Sequence, residues 1–200
     1  MHRFLTETVF SSLYGIITVL FACERMTATI SAARKSVKQP PQLLTTIPLL
    51  TYCLLAFAAV IEYFIGSRAL NYWISACGFA IFMTGIKLRT AAIKEFADNW
   101  NIHITAKSIK KIITSGPYCF VRHPYYLAVI LELTGFSLIS NSYFTLTAVA
   151  LIQLPLLLMR IDREEKELED KFPGIYLPYK KTVNALLPAL RGPLRQTKGR

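Results

Sequence analysis

The chain has 200 residues, 53% of them hydrophobic, with a mean hydropathy of +0.39 and a formal net charge of +11. It is too apolar for an ordinary water-soluble domain and too short for several of them, so the expected class is an all-α integral membrane protein. Cationic edges against anionic membrane lipid account for the positive charge, and no nucleic-acid partner is expected.

Five apolar stretches, residues 4–23, 43–65, 69–88, 124–140 and 143–161, predict a bundle of five transmembrane helices. Each is near the roughly 20 residues that cross a hydrocarbon core of about 30 Å. The fourth is the shortest and must cross with little tilt. Residues 24–42, 87–123 and 160–200 hold 4, 7 and 10 Lys or Arg, which is 21 of the 23 in the chain. That asymmetry puts the N-terminus outside and the C-terminus in the cytoplasm, as an odd number of spans requires. The membrane itself, bacterial plasma membrane or endoplasmic reticulum, is not distinguished. Three parts follow: N-terminal helices over 1–88, a core of cytoplasmic loop, helical hairpin and C-terminal segment over 89–188, and a basic tail over 189–200 of disordered composition.

In chain order, the first span has a weak charged start, Arg3 with Glu7, and only a loose match to a processing site at residues 20–23, so it reads as a retained helix. Gly66-Ser67-Arg68 is so short a link that the second and third spans are expected to form an antiparallel hairpin, with Pro48 and Gly85 as tolerated breakers. Glu62 lies near the outer end of its span, within reach of the interface. Glu132 lies inside the fourth span, where an ionisable group is costly, and is a candidate for a substrate path. Cys23, Cys53, Cys77 and Cys119 share no metal-ligand spacing; they read as buried thiols, and no metal is expected. Ile93, Phe96, Ala97 and Trp100 recur at helical spacing among polar residues and predict an amphipathic helix on the membrane surface or over a site. Residues 101–114 give no secondary-structure pattern.

Ser115–Tyr126 reads Ser-Gly-Pro-Tyr-Cys-Phe-Val-Arg-His-Pro-Tyr-Tyr and stands where a basic segment meets an apolar one. Gly116-Pro117 marks a turn, while Pro124 pushes His123 out of the α region and suits the first turn of a helix. The free N–H groups and positive dipole end of that helix favour an anion or an electron-rich ligand, with Arg122 adding a permanent charge beside them. Asn141-Ser142 then predicts a second hairpin, with its returning arm bent by Pro155. Both ends of this hairpin face the same side, which brings Arg122-His123-Pro124 beside residues 160–165. On a continuing helix Arg160 and Glu164 share a face one turn apart, lining a pocket or forming a solvated ion pair. Phe172-Pro173-Gly174 ends that helix, and Tyr176 and Tyr179 follow near Lys180 and Lys181.

Gly116-Pro117-Tyr118, Arg122-His123-Pro124-Tyr125-Tyr126, Glu164-Glu165-Lys166-Glu167-Leu168 and Tyr176-Leu177-Pro178-Tyr179 resemble the isoprenylcysteine carboxyl methyltransferase family, which pairs Arg-His-Pro-x-Tyr with Glu-Glu-x-x-Leu. The resemblance runs from about residue 87 to 188. It implies a membrane enzyme that moves a methyl group from S-adenosyl-L-methionine to a lipid carboxylate, with the cofactor at the cytoplasmic face. By position it assigns cofactor contacts to His103, Lys110, Lys111, Ile112, Ile113, Tyr118, His123, Pro124, Tyr125, Tyr126 and Glu164, and it turns Arg160 toward the substrate. Ala128 stands where the family usually has Gly. The same core occurs in phospholipid N-methyltransferases and in NADPH-dependent sterol reductases.

Methyl transfer is an in-line displacement, so nucleophile and methyl carbon must be held aligned about 3 to 3.5 Å apart with water excluded. A carboxylate acceptor needs no base. Arg160 can orient its two oxygens, with Arg122 the next cation able to do so, and the tyrosines offer electron-rich faces to a cationic cofactor. A phenol or amine would have to lose a proton, for which His123 and Glu165 are nearest. The expected partners are a lipophilic or lipidated acceptor and membrane lipids. Two other readings are an NADPH-dependent reductase and a non-catalytic scaffold; a reductase of this type would need more spans before the shared core.

Overall fold

The computed structural model describes residues 2–35, 43–66, 70–96 and 112–188. Among them every regular element is helical: α1 His2–Lys35, α2 Leu43–Ile65, α3 Tyr72–Phe96, a 3-10 turn Gly116–Cys119, α4 Pro124–Ile139, α5 Tyr143–Ala148, a π turn Val149–Gln153, α6 Leu154–Lys171 and α7 Pro173–Thr182. Four helical stretches are long and apolar enough to cross a membrane: Glu7–Thr27, Thr46–Ile65, Tyr72–Glu95 and Tyr143–Lys171. The fourth expected span, α4, has only 16 residues. At about 1.5 Å per residue it reaches roughly 24 Å, so four helices have full spanning length and α4 is a shorter apolar helix beside them.

Glycine explains the tightest pairing, α3 on α4. A Cβ at Gly135 would lie 2.5 Å from Phe82 N, and one at Gly85 would lie 2.8 Å from Glu132 Cγ. Bare backbones therefore meet there, as small residues allow between membrane helices. Gly85, read as a tolerated breaker, is a packing residue, and Ala128 is fully buried beside it. Tyr14, Phe21, Phe82 and Phe136 fill the centre, their rings meeting at centroid distances from 4.9 Å for Phe21–Phe82 to 6.0 Å for Phe82–Phe136.

The expected α2–α3 hairpin is not a packed pair. Both helices turn instead to the second hairpin, α3 to α4 and α2 to α4, α5 and α6. Polar side chains fix that choice. Glu62, expected at the interface, accepts from Phe144 N at 3.1 Å and Thr145 N at 2.8 Å, satisfying the free donors that begin α5. Asn141 in the tight link adopts φ 54° and donates through Nδ2 to Ser75 Oγ at 2.8 Å, while Ser142 Oγ donates to the Ala59 carbonyl at 3.0 Å. The π turn falls just before Pro155, where a missing N–H loosens the helical ladder. Gln153, fully buried in that turn, donates to the Pro48 carbonyl at 3.1 Å.

Two more expectations need correction. The first turn of the proposed amphipathic helix is the unbroken end of α3, which runs through Ile93 to Phe96; Ala97 and Trp100 lie outside the described residues. Cys23, Cys53 and Cys77 are exposed on the outside of the bundle and Cys119 is half-buried, so none is a core thiol. In a membrane helix an apolar position faces lipid as readily as neighbours, and hydropathy does not separate the two.

Candidate functional site

At one end of the bundle the 3-10 turn, the start of α4, the end of α6 and the segment after α7 converge. Gly116 begins the turn with φ +56°, and a Cβ there would come 2.5 Å from Glu95 Oε1, so glycine answers both the backbone and the close approach. Ser115 Oγ donates to Glu95 Oε2 at 2.6 Å, tying the turn to the end of α3. Beyond it Arg122 N donates to the Asn184 carbonyl at 2.9 Å and His123 N to that of Ala185 at 3.0 Å, with Val121 and Asn184 forming a parallel bridge. The chain after α7 thus lines the motif loop. A second apolar cluster of Leu168, Tyr176, Tyr179 and Val183, with Ile112 and Phe172 against it, seals this contact.

Successive residues on an α-helix point about 100° apart, and the pair Glu164-Glu165 uses that step. Glu165 is buried and faces the loop. Its Oε1 accepts from Arg122 Nε at 2.9 Å and Nη2 at 2.6 Å and lies 3.1 Å from His123 Nε2; its Oε2 lies 2.9 Å from Lys180 Nζ. Arg122 Nη1 also donates to the Lys180 carbonyl at 3.0 Å and to that of Val183. Glu164 takes the other direction: its Oε2 accepts from Tyr126 Oη at 2.6 Å. The Tyr126 ring, buried, lies under the Arg160 guanidinium at 5.2 Å and stacks with His123 at 5.6 Å and 20°. Tyr125 meets it edge-on at 6.0 Å.

The structure therefore brings together Tyr118, Arg122, His123, Pro124, Tyr125, Tyr126, Arg160 and Glu164 of the residues read from sequence. Ile112 sits in the sealing cluster, Ile113 is half-buried, and His103, Lys110 and Lys111 lie outside the described residues. Arg122, expected as a charge at the helix start and the next cation after Arg160 to orient the acceptor, is engaged with Glu165 and two carbonyls, as a clamp on the loop would be. Lys180 and Tyr179, noted in the sequence without a site role, and Val183 join them. Tyr179 Oη donates to the Tyr118 carbonyl at 2.5 Å, and only the i, i+3 spacing of Tyr176 and Tyr179 hints that both turn inward. Burial pushes the phenols of Tyr118 and Tyr179 above their ordinary range; the charge of Glu164 adds to the rise at Tyr118, and that of Arg122 opposes it at Tyr179. Both stay protonated at physiological pH. Glu169 and then Glu165 hold the Lys180 ammonium above its usual value, so it stays charged.

The Isoprenylcysteine carboxyl methyltransferase family matches residues 77–170, from within α3 to the end of α6. Among curated proteins, one of Haemophilus influenzae with no assigned function is 33% identical over 118 residues, 58% of this chain and 68% of that protein. The protein-S-isoprenylcysteine O-methyltransferase of Xenopus laevis is 30% identical over 123 residues, 60% of this chain and 42% of the enzyme. The cobalt-zinc-cadmium resistance protein CzcN of Cupriavidus metallidurans is 28% identical over 125 residues, 62% of this chain and 55% of that protein. The matched region thus spans between 42% and 68% of these relatives' own lengths. With both family motifs meeting at one end of a helical membrane protein, the chain belongs to the isoprenylcysteine carboxyl methyltransferase family.

Proposed function

We propose that this protein is an S-adenosyl-L-methionine-dependent methyltransferase that works at the cytoplasmic membrane face on a lipophilic acceptor, by O-methylation of a carboxylate. The observation that carries the reading is the 2.6 Å hydrogen bond from Tyr126 Oη to Glu164. It joins the Arg-His-Pro-x-Tyr motif to the Glu-Glu motif in one cluster, with Arg160 stacked on the same ring. We read the topology as five crossings, α4 being the short one, with the N-terminus outside. The division at residues 88 and 188 is kept, with the core from 89 to 188 carrying the chemistry.

The donor set fits a cationic, hydroxyl-bearing cofactor. Glu164, half-buried, is an acceptor for hydroxyl or amino groups, and the tyrosine rings present electron-rich faces to positive charge. Tyr118, His123, Pro124, Tyr125, Tyr126, Ile112, Ile113 and Glu164, with His103, Lys110 and Lys111, would hold it. When bound, that cofactor supplies a methyl group on a positively charged sulfur. The protein's part is positioning. Glu165 fixes Arg122 and His123, these hold the start of α4, and α4 presents Tyr126. Arg160, on the face shared with Glu164, orients the acceptor's two oxygens with its planar fork. A carboxylate needs no proton removed, so His123 and Glu165 can remain paired with each other throughout.

Equilibrium binding of S-adenosyl-L-methionine against NADPH to the detergent-purified chain tests the reading. Binding of the first alone is expected; binding of NADPH alone would replace methyl transfer by reduction. Arg160→Lys keeps the charge but loses the fork, so cofactor affinity should stay while methyl transfer to a carboxylate acceptor falls sharply. If both fell together, Arg160 would belong to the cofactor site.

A further inference from the structure

Inside the bundle lies a second charged cluster that the methyl-transfer reading does not use. Glu132, fully buried in α4, accepts from Arg89 Nε of α3 at 2.7 Å, from Tyr52 Oη of α2 at 3.0 Å and from Arg25 Nη2 of α1. Arg89 is 2% exposed, and its Nη2 donates to Glu24 Oε2 at 2.5 Å. The Arg25 guanidinium lies 4.2 Å from the centre of the Tyr52 ring. Two arginines thus share one buried carboxylate, and a bare excess of positive charge in such a place is costly. The balancing anion, Glu24, has a side chain 45% exposed at the edge of the cluster. Arg25 Nε, buried, has no hydrogen-bond partner among the described residues. The cluster therefore has one anion that water can reach and one donor left over.

Its depth suits a lipid headgroup. Glu24 and Arg25 end the apolar stretch Glu7–Thr27, and Arg89 stands in the last two turns of Tyr72–Glu95, at the same end of the bundle under the proposed topology. We propose that Arg89 and Arg25 form a subsite for the anionic group, carboxylate or phosphate, of a membrane-borne ligand, with Glu24 as an internal stand-in that the ligand displaces. Glu132 holds the two guanidinium groups in place and keeps the subsite from carrying two unbalanced charges. Tyr125 packs on the same apolar core as Tyr52 and meets Tyr126 edge-on, so this subsite and the methyl-transfer residues border one core. The ligand's source is either a free lipophilic acid, distinct from the carboxylate that Arg160 orients, or the headgroup of an acidic phospholipid.

The test uses the full chain in neutral detergent without S-adenosyl-L-methionine, with equilibrium binding of radiolabelled palmitate, methyl palmitate, phosphatidate and phosphatidylcholine. At least one anion should bind about tenfold more tightly than its neutral counterpart, the scale of one charged hydrogen bond. Preference for palmitate points to a free lipophilic acid, and preference for phosphatidate to a phospholipid. Glu24→Gln should strengthen anion binding several-fold by removing the competitor, and Arg25→Gln should erase the preference. A merely structural network predicts the reverse for Glu24→Gln. The proposal fails if the wild type shows no anion preference, or if Glu24→Gln and Glu24→Ala, with wild-type melting temperatures, leave binding unchanged or weaker. Cofactor binding is measured separately on the same preparation, so loss of the methyl-transfer reading would leave this result standing.

Discussion

Glu132 and Glu165 are both buried carboxylates that gather three polar partners, yet they hold together different things. The partners of Glu165 are Arg122, His123 and Lys180, all from the family-like half, and Lys180 keeps one side of the cluster open, with a side chain 40% exposed. The partners of Glu132 are Arg25, Tyr52 and Arg89, one from each of the first three helices. One cluster closes a loop over a site; the other ties separate helices to α4. Identical chemistry should therefore differ in what its loss costs, because water reaches Lys180, a direct partner of Glu165, whereas the three direct partners of Glu132 are themselves largely buried.

The largest effect is expected from Glu132→Gln, which keeps the shape and leaves two buried guanidinium groups without their shared anion. A loss of about 3–5 kcal/mol is the scale for breaking a buried pair from one side. Thermal unfolding in detergent should show a large drop in melting temperature, partly restored in Glu132→Gln with Arg25→Gln. A melting temperature unchanged by the single substitution would mean that the interior is wetter than its burial indicates.

Glu165→Gln should come next, at about 1.5–3 kcal/mol for its charge-assisted contacts, and the loss should be local. The expected signature is faster protease cleavage after Thr182, with the spans intact, because Arg122 would lose its hold beside the Val183 carbonyl. Equal melting losses for Glu132→Gln and Glu165→Gln would erase the distinction between clamp and tie.

The same contrast explains what could be read from the sequence. The Glu165 side was legible because its parts are motifs: Pro124 starts α4 as its ring geometry requires, and Arg160 and Glu164 share a face because the helix continues unbroken. The separate tasks of Glu164 and Glu165 follow from the 100° step of a helix, once something is known to lie on each side. The Glu132 side was not legible. Arg25 and Glu132 stand 107 positions apart, and nothing local says that α1 reaches α4 or that α3 leaves α2 for it. The pattern of apolar residues marks where helices are; among lipid-facing neighbours it says little about which faces meet, and the outward cysteines misled for the same reason.

The smallest effect should be that of Tyr126→Phe, which tests whether Tyr126 belongs to the site or to the clamp. The substitution removes one hydroxyl and leaves the ring, so the contact with Arg160 at 5.2 Å and the stacking on His123 at 5.6 Å remain. Glu164 loses its 2.6 Å donor but, half-buried, can take water instead. Stability should change little, and affinity for S-adenosyl-L-methionine should fall by about 0.5–1.5 kcal/mol, the usual worth of one hydrogen bond, because Glu164 is no longer held in position. Calorimetric titration and thermal unfolding of the same preparation separate the two outcomes. A fall in melting temperature as large as that of Glu165→Gln, with affinity intact, would move the Tyr126–Glu164 pair from the cofactor site to the clamp. Of the cluster that joins the two motifs, Arg160 would then be the residue left to carry the chemistry.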